Sequence, residues 1–151
     1  RSTRLPRAIR DVYKRQLFNQ VLFKNEDCMV VGQNDHFQIV VWDAEHYNPY
    51  FTTNEQIDYL SHKEYQLNIS NVTTGSYKIK HLTLDRNNGA LYQVWQQYNT
   101  QHGMDTETIN YVNRVSYPKL DVSEVDVVDT ISYHLKLQTN AIQIIEFKKY
   151  F

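Results

Sequence analysis

The chain has 151 residues and a formal net charge of -1 from 16 basic and 17 acidic side chains, which leaves no global field for a polyanion and argues against direct nucleic acid contact. Its length suits one domain that buries about two-thirds of its unfolded surface, and falls short of a (β/α)8 barrel, which needs roughly 200 residues or more. With 41% hydrophobic and 13% aromatic residues and a single cysteine, Cys28, it is a folding sequence that can form neither an internal disulfide nor a cysteine-based zinc site.

Arg1 to Gln16 carries five Arg and one Lys and breaks abruptly into the apolar Leu17-Phe18. The hexapeptide Asp11-Val12-Tyr13-Lys14-Arg15-Gln16 matches the translation of a transposon end used to prepare sequencing libraries, so 1–16 is set aside as foreign, as a tag would be. On that reading the chain is a fragment from assembled environmental DNA. The competing reading is a basic arm for nucleic acid or anionic lipid.

Leu17 to Phe23 is expected to be the end of a helix leading from an absent domain. Strand chemistry then begins: Cys28 to Val31 is a β-rich run, Gln33-Asn34-Asp35 supplies a turn, and His36 to Trp42 resumes as a strand, giving a hairpin. Cys28, inside this apolar run, is expected to be a buried small hydrophobe. Asp43 to Lys63, with Pro49 and no clear period, reads as a long connection with an irregular turn around Glu55 to Leu60.

Tyr65, Leu67 and Ile69 alternate with polar residues, the period of a strand with one buried face. After a turn at Thr74-Gly75, Tyr77 and Ile79 open a strand that runs through Leu84 to the turn Asn87-Asn88-Gly89. Leu91, Val94, Trp95 and Tyr98 share one face of a short helix, and Trp95 is assigned to the core. A second helix starts behind Asp105 and Thr106, carries Ile109 and Val112, and stops before Pro118. Leu120 and Val122, then Ile131, Tyr133, Leu135 and Leu137, alternate as strands with one apolar face, with His134 facing solvent. Ala141 to Phe147 is apolar on both faces, as a central strand would be. The fold class is therefore mainly β, an antiparallel β-sandwich of about seven or eight strands with one or two short helical insertions.

Several strings carry a family likeness. Gly75-Ser76-Tyr77-Lys78-Ile79, the stretch Leu82 to Trp95, Tyr111 to Leu120 and Ala141 to Phe147, with Phe23-Lys24-Asn25-Glu26 and Gln38 to Trp42 upstream, together resemble the C-terminal β-sandwich region of glycoside hydrolase family 39-like proteins. Ala90 stands where Ser is commoner, and Gln96 to Met104 departs from the pattern. The likeness spans 17–151. Within it, the nearest resemblance is to proteins in which such a region follows an AraC-type helix-turn-helix module. The resemblance implies a non-catalytic accessory domain packed on a barrel that precedes Leu17, the barrel being its partner. Relatives of this architecture include β-xylosidases that retain anomeric configuration, so the parent could be a hydrolase or a sugar-sensing regulator, and both stand at this point. A free-standing carbohydrate-binding module is the third reading.

A retaining glycosidase needs two carboxyl groups about 5 Å apart on barrel strands. The family places that pair in the barrel, so Glu26, Glu45, Glu55, Glu64, Glu107, Glu124 and Glu146 are taken as solvated or structural. No catalytic residue is assigned. The histidines His36, His46, His62, His81, His102 and His134 lack the helical spacing of a metal motif, no cofactor is expected, and the absence of a Gly-x-Ser-x-Gly elbow discounts a serine triad. The cluster Trp42, His46, Tyr47, Pro49, Tyr50 and Phe51 carries the candidate site, because aromatic faces stack on sugar rings. Its preferred role is packing against the missing barrel, its alternative a carbohydrate contact. No stretch of 18 apolar residues or secretory leader is visible, so a soluble cytoplasmic protein with no membrane partner is expected.

Overall fold

In the structure, a computed structural model, residues 20–33, 35–44, 62–98 and 101–150 are described. Along these residues run β1 (Val21–Lys24), β2 (Cys28–Gln33), β3 (His36–Trp42), β4 (His62–Ile69), β5 (Gly75–Leu84), α1 (Leu91–Tyr98), α2 (Thr106–Val115), β6 (Lys119–Val127), β7 (Ile131–Gln138) and β8 (Ile142–Lys149). Six strands form one antiparallel sheet in the order β1-β2-β3-β8-β5-β6, and β4 pairs with β7 in a second. The mainly-β fold with two short helices follows the periodicities of the sequence.

The alternation in each strand decides which face meets the other sheet. Phe37, Ile39 and Val41 of β3, Tyr77 and Ile79 of β5, and Ile145 and Phe147 of β8 pack with Ile131, Leu135 and Leu137 of β7. Tyr65, Leu67 and Ile69 of β4 close over this core. Phe37 and Phe147, direct cross-strand partners, stack with centroids 5.0 Å apart, and Tyr133 meets Phe147 edge-on. Cys28 is buried here as expected, and burial pushes its thiol pKa up, as does neighbouring Asp27. A thiol held protonated in this way is a packing group and no nucleophile.

Three expectations need correction. Val21 to Phe23 belongs to strand β1, not to a helix end, and pairs with β2 through an irregular register. A short apolar run carries no period that separates helix from strand, and the open edge of β2 captures it; Leu17 to Asn19 lie outside the described residues.

Trp95 is 42% exposed and is not a core residue. Helix α1 meets α2, through the edge-on pair Tyr98–Tyr111, and its spacing reported an apolar face without reporting what covers it. The same holds for β6. It is a strand as expected, yet Leu120 and Val122 are each 53% exposed, because β6 is the sheet's last strand and these residues point away from the second sheet.

The helical insertion is closed at its base. Gly89 has φ +80, and a Cβ there would meet Leu84 Cδ1 at 2.8 Å and the Pro118 nitrogen at 2.9 Å. Both the backbone conformation and the space therefore call for glycine. Asp105 caps α2 by accepting from the Thr108 N–H at 2.7 Å, which matches the sequence signal.

Candidate functional site

Of the aromatic cluster singled out in the sequence, Trp42 ends β3 and is partly exposed. His46, Tyr47, Tyr50 and Phe51, with Pro49, lie outside the described residues, as does the turn expected around Glu55 to Leu60. What the structure defines is the base from which this segment springs. Asp43, buried directly after β3, accepts from Lys63 Nζ at 2.6 Å, and its backbone N–H donates to Ala141 O at 3.1 Å. One ion pair thus ties together the two stems of the connection.

Asp27 and Tyr65 join this base, the Tyr65 hydroxyl lying 3.5 Å from Asp27 Oδ2. The hydrogen bond to Asp43 holds the Lys63 ammonium above its ordinary pKa. Burial, then Asp27, pushes the Tyr65 phenol up. Each shift stabilises the resting form of its group, a paired cation and a protonated phenol. Neither is a nucleophile poised to react.

A second polar group bridges the two sheets and was not legible in sequence. His81 Nε2 lies 3.1 Å from Gln143 Oε1, and His81 Nδ1 lies 3.1 Å from the Tyr133 hydroxyl. Gln143 Nε2 in turn donates to Lys136 O at 2.7 Å. The whole chain is satisfied when His81 is neutral, with Nε2–H donating to Gln143 and Nδ1 accepting from Tyr133. Burial lowers the His81 pKa, the Gln143 hydrogen bond and Asp121 opposing it in part. The arrangement fastens β5 and β8 to β7; Asp121, the cross-strand partner of His81, is engaged by Lys119 at 2.9 Å and forms no hydrogen bond with the imidazole among the described contacts.

On the outer face of the large sheet, Glu146 receives His36 Nε2 at 2.6 Å and Lys80 Nζ at 3.3 Å. Burial alone would raise its pKa, but the hydrogen bonds from His36 and Lys80 outweigh it and hold the carboxyl below its usual value. Glu64 is likewise held low, by the Lys136 hydrogen bond. A general acid needs the opposite shift. Among the described residues, no three His, Cys, Asp or Glu groups come together as a metal site, and no helix is long and apolar enough to cross a membrane.

The fold is that of part of the family 39 glycosidases. A family 39 glycoside hydrolase from Xanthomonas axonopodis pv. citri superposes with a TM-score of 0.65 at 9% identity, over 84% of this chain and 26% of the enzyme. A monomeric β-xylosidase from Caulobacter crescentus CB15 gives 0.64 at 11%, over 85% and 27%. Identities this low establish fold alone. In sequence the chain resembles a different kind of protein. Uncharacterized HTH-type transcriptional regulators of Staphylococcus aureus, strains COL and MRSA252, are 43% and 44% identical over 135 residues. The match covers 89% of this chain and 18% of each regulator. No family model matches the sequence.

Proposed function

We propose that this chain is a non-catalytic β-sandwich that, within a helix-turn-helix transcriptional regulator, packs on and supports a glycosidase-like (β/α)8 barrel. The observation that carries the proposal is the 43% identity to HTH-type regulators across 89% of a chain whose fold is shared with family 39 enzymes. The site chemistry supports it: the described carboxylates with shifted pKa, Glu64, Asp105 and Glu146, are all held in their charged form, which suits structural pairing and not proton donation. So does the surface. Leu91, Trp95, Ile109, Val115, Tyr117, Leu120 and Val122 are large apolar side chains left exposed on the helices, on β6 and on the link between them, and such surface marks a contact with another body. An AraC-type module, a sugar-sensing role and a cytoplasmic location complete the proposal.

A second reading, that the parent is a retaining β-xylosidase-like enzyme, is favoured by the enzymatic nature of the fold neighbours. On either reading the reacting carboxylates reside in the barrel, and Trp42, His46, Tyr47, Tyr50 and Phe51 face it. Sequencing the complete gene tests the choice: a helix-turn-helix coding region is expected, and a barrel with paired carboxylates but no such region would replace the regulator with the enzyme. Assaying the 151-residue chain on an aryl β-xyloside should give no turnover above a vector control. Turnover, or sugar binding abolished by Tyr47→Ala or Tyr50→Ala, would contradict a purely supporting role.

A further inference from the structure

Four lysines line one cleft on the large sheet, three of them, Lys78, Lys80 and Lys148, on its outer face by register. Lys78 and Lys80 of β5, Lys148 and Lys149 of β8, Tyr150 and Glu146 line a volume of about 480 Å³. Two of the ammonium groups have carboxylate partners: Lys80 with Glu146 at 3.3 Å and Lys149 with Asp35 at 4.0 Å. The other two have none among the described residues. Lys78 lies over the Tyr150 ring, 5.8 Å from its centroid, and Lys148 is exposed at the cleft's edge.

The register makes this arrangement costly as it stands. Lys78 and Lys148 are direct cross-strand partners, and like charges placed opposite one another on neighbouring strands repel. Their flanking positions offset this repulsion only in part, Glu124 being an opposite charge in register with Lys78. His36, on the far side of Lys148, is engaged by Glu146, and Glu124, on the far side of Lys78, forms no ion pair with it among the described contacts. In a chain of net charge -1, two unpaired ammonium groups brought to one concave spot make a local well for a doubly charged anion.

We propose that this cleft binds a phosphoryl group, held between Lys78 and Lys148 with Lys80 at its edge, while Tyr150 offers an aromatic face to whatever ring carries the phosphate. An ammonium is a compact point charge suited to phosphate oxygens, and aromatic faces pack against the apolar side of sugar rings. The source is either free phosphate or a phosphorylated sugar. This site lies on the sheet's own surface and does not depend on the supporting role proposed above.

The test is a titration of the 151-residue chain with inorganic phosphate and, separately, with glucose 6-phosphate. Amide resonances are followed by two-dimensional NMR and the melting temperature is recorded in parallel. Saturable shifts centred on Lys78, Lys148 and Tyr150, with a rising melting temperature, are expected. Lys78→Gln and Lys148→Gln should each weaken binding about tenfold, the loss of one charge-assisted contact, while Lys119→Gln, which alters an exposed lysine paired with Asp121, leaves it unchanged. Tighter binding of glucose 6-phosphate that Tyr150→Ala reduces to the level of phosphate assigns the ring a share; equal affinities assign the site to the phosphoryl group alone. Shifts that never saturate with either ligand, or that fall equally in all three lysine variants, reflect general screening and would overturn the proposal.

Discussion

At the scale of single residues, the core side chains and one buried histidine carry the sharpest consequences. Phe147 is fully buried, stacks on Phe37 and meets Tyr133, so Phe147→Ala should destabilise the chain by about 3–5 kcal/mol, whereas Lys119→Ala should stay within about 0.5 kcal/mol. Urea midpoints at constant m-value measure both. His81 sets a pH dependence. Its folded pKa lies below its ordinary value, so between the two values the unfolded chain binds a proton that the folded chain refuses, and stability falls as pH drops below about 6.5. Glu146 continues the decline further down. Its folded pKa is depressed, so its contribution is present above about 4.5 and is lost as pH falls through the folded value. His81→Leu should flatten the upper part of this curve and leave the lower part in place; an unchanged slope between pH 7 and 5.5 would mean that His81 is not the group responsible. The sequence carries no signal of this, because the Tyr133–His81–Gln143 chain joins three strands far apart in sequence.

At the scale of elements, the insertion between β5 and β6 shows what backbone geometry requires. Gly89 and Gly103 both have positive φ, but a Cβ at Gly89 would strike Leu84 and Pro118 while one at Gly103 meets no atom within 4 Å. Gly103→Ala should therefore cost only the conformational penalty of about 1–2 kcal/mol, and Gly89→Ala that penalty plus roughly 1–3 kcal/mol of overpacking. Equal losses would remove the packing argument. The strands themselves were readable, because each of Tyr65-Leu67-Ile69, Tyr77-Ile79 and Ile131-Tyr133-Leu135-Leu137 keeps its period of two and buries that face. The central place of β8 was readable too, from apolar residues on both faces. Pairing was not. Nothing in the sequence indicates that β8 inserts between β3 and β5, or that β4 leaves its chain neighbours for β7, because periodicity fixes which face is buried and not which edge is shared. For the same reason Lys78 and Lys148 come into view as a pair only through the register of β5 with β8. Of the site residues expected from sequence, the structure describes Trp42 alone. The Asp43–Lys63 tie beneath that segment is not legible in the sequence, because a loop's stems are identified by contact and not by composition.

At the scale of the whole molecule, two facts pull together among the described residues: a core shared by two sheets, and an apolar surface that this core does not use. β6, the last strand of its sheet, keeps Leu120 and Val122 exposed beside the exposed Val115 and Tyr117, which is the kind of edge that natural sheets cover or blunt with charge. Lys119, Asp121 and Glu124 supply some blunting along the same strand; the apolar positions between them fit a covering partner. The relatives are more than five times as long as their match to this chain, which provides ample polypeptide for that cover. Amide hydrogen exchange, measured on the 151-residue chain and on the complete protein under identical conditions, tests this most directly. The account predicts slower exchange in the complete protein along Lys119–Val127 and along both helices, with the core strands β3 and β8 little changed. Identical exchange along β6 and the helices in the two proteins would contradict it.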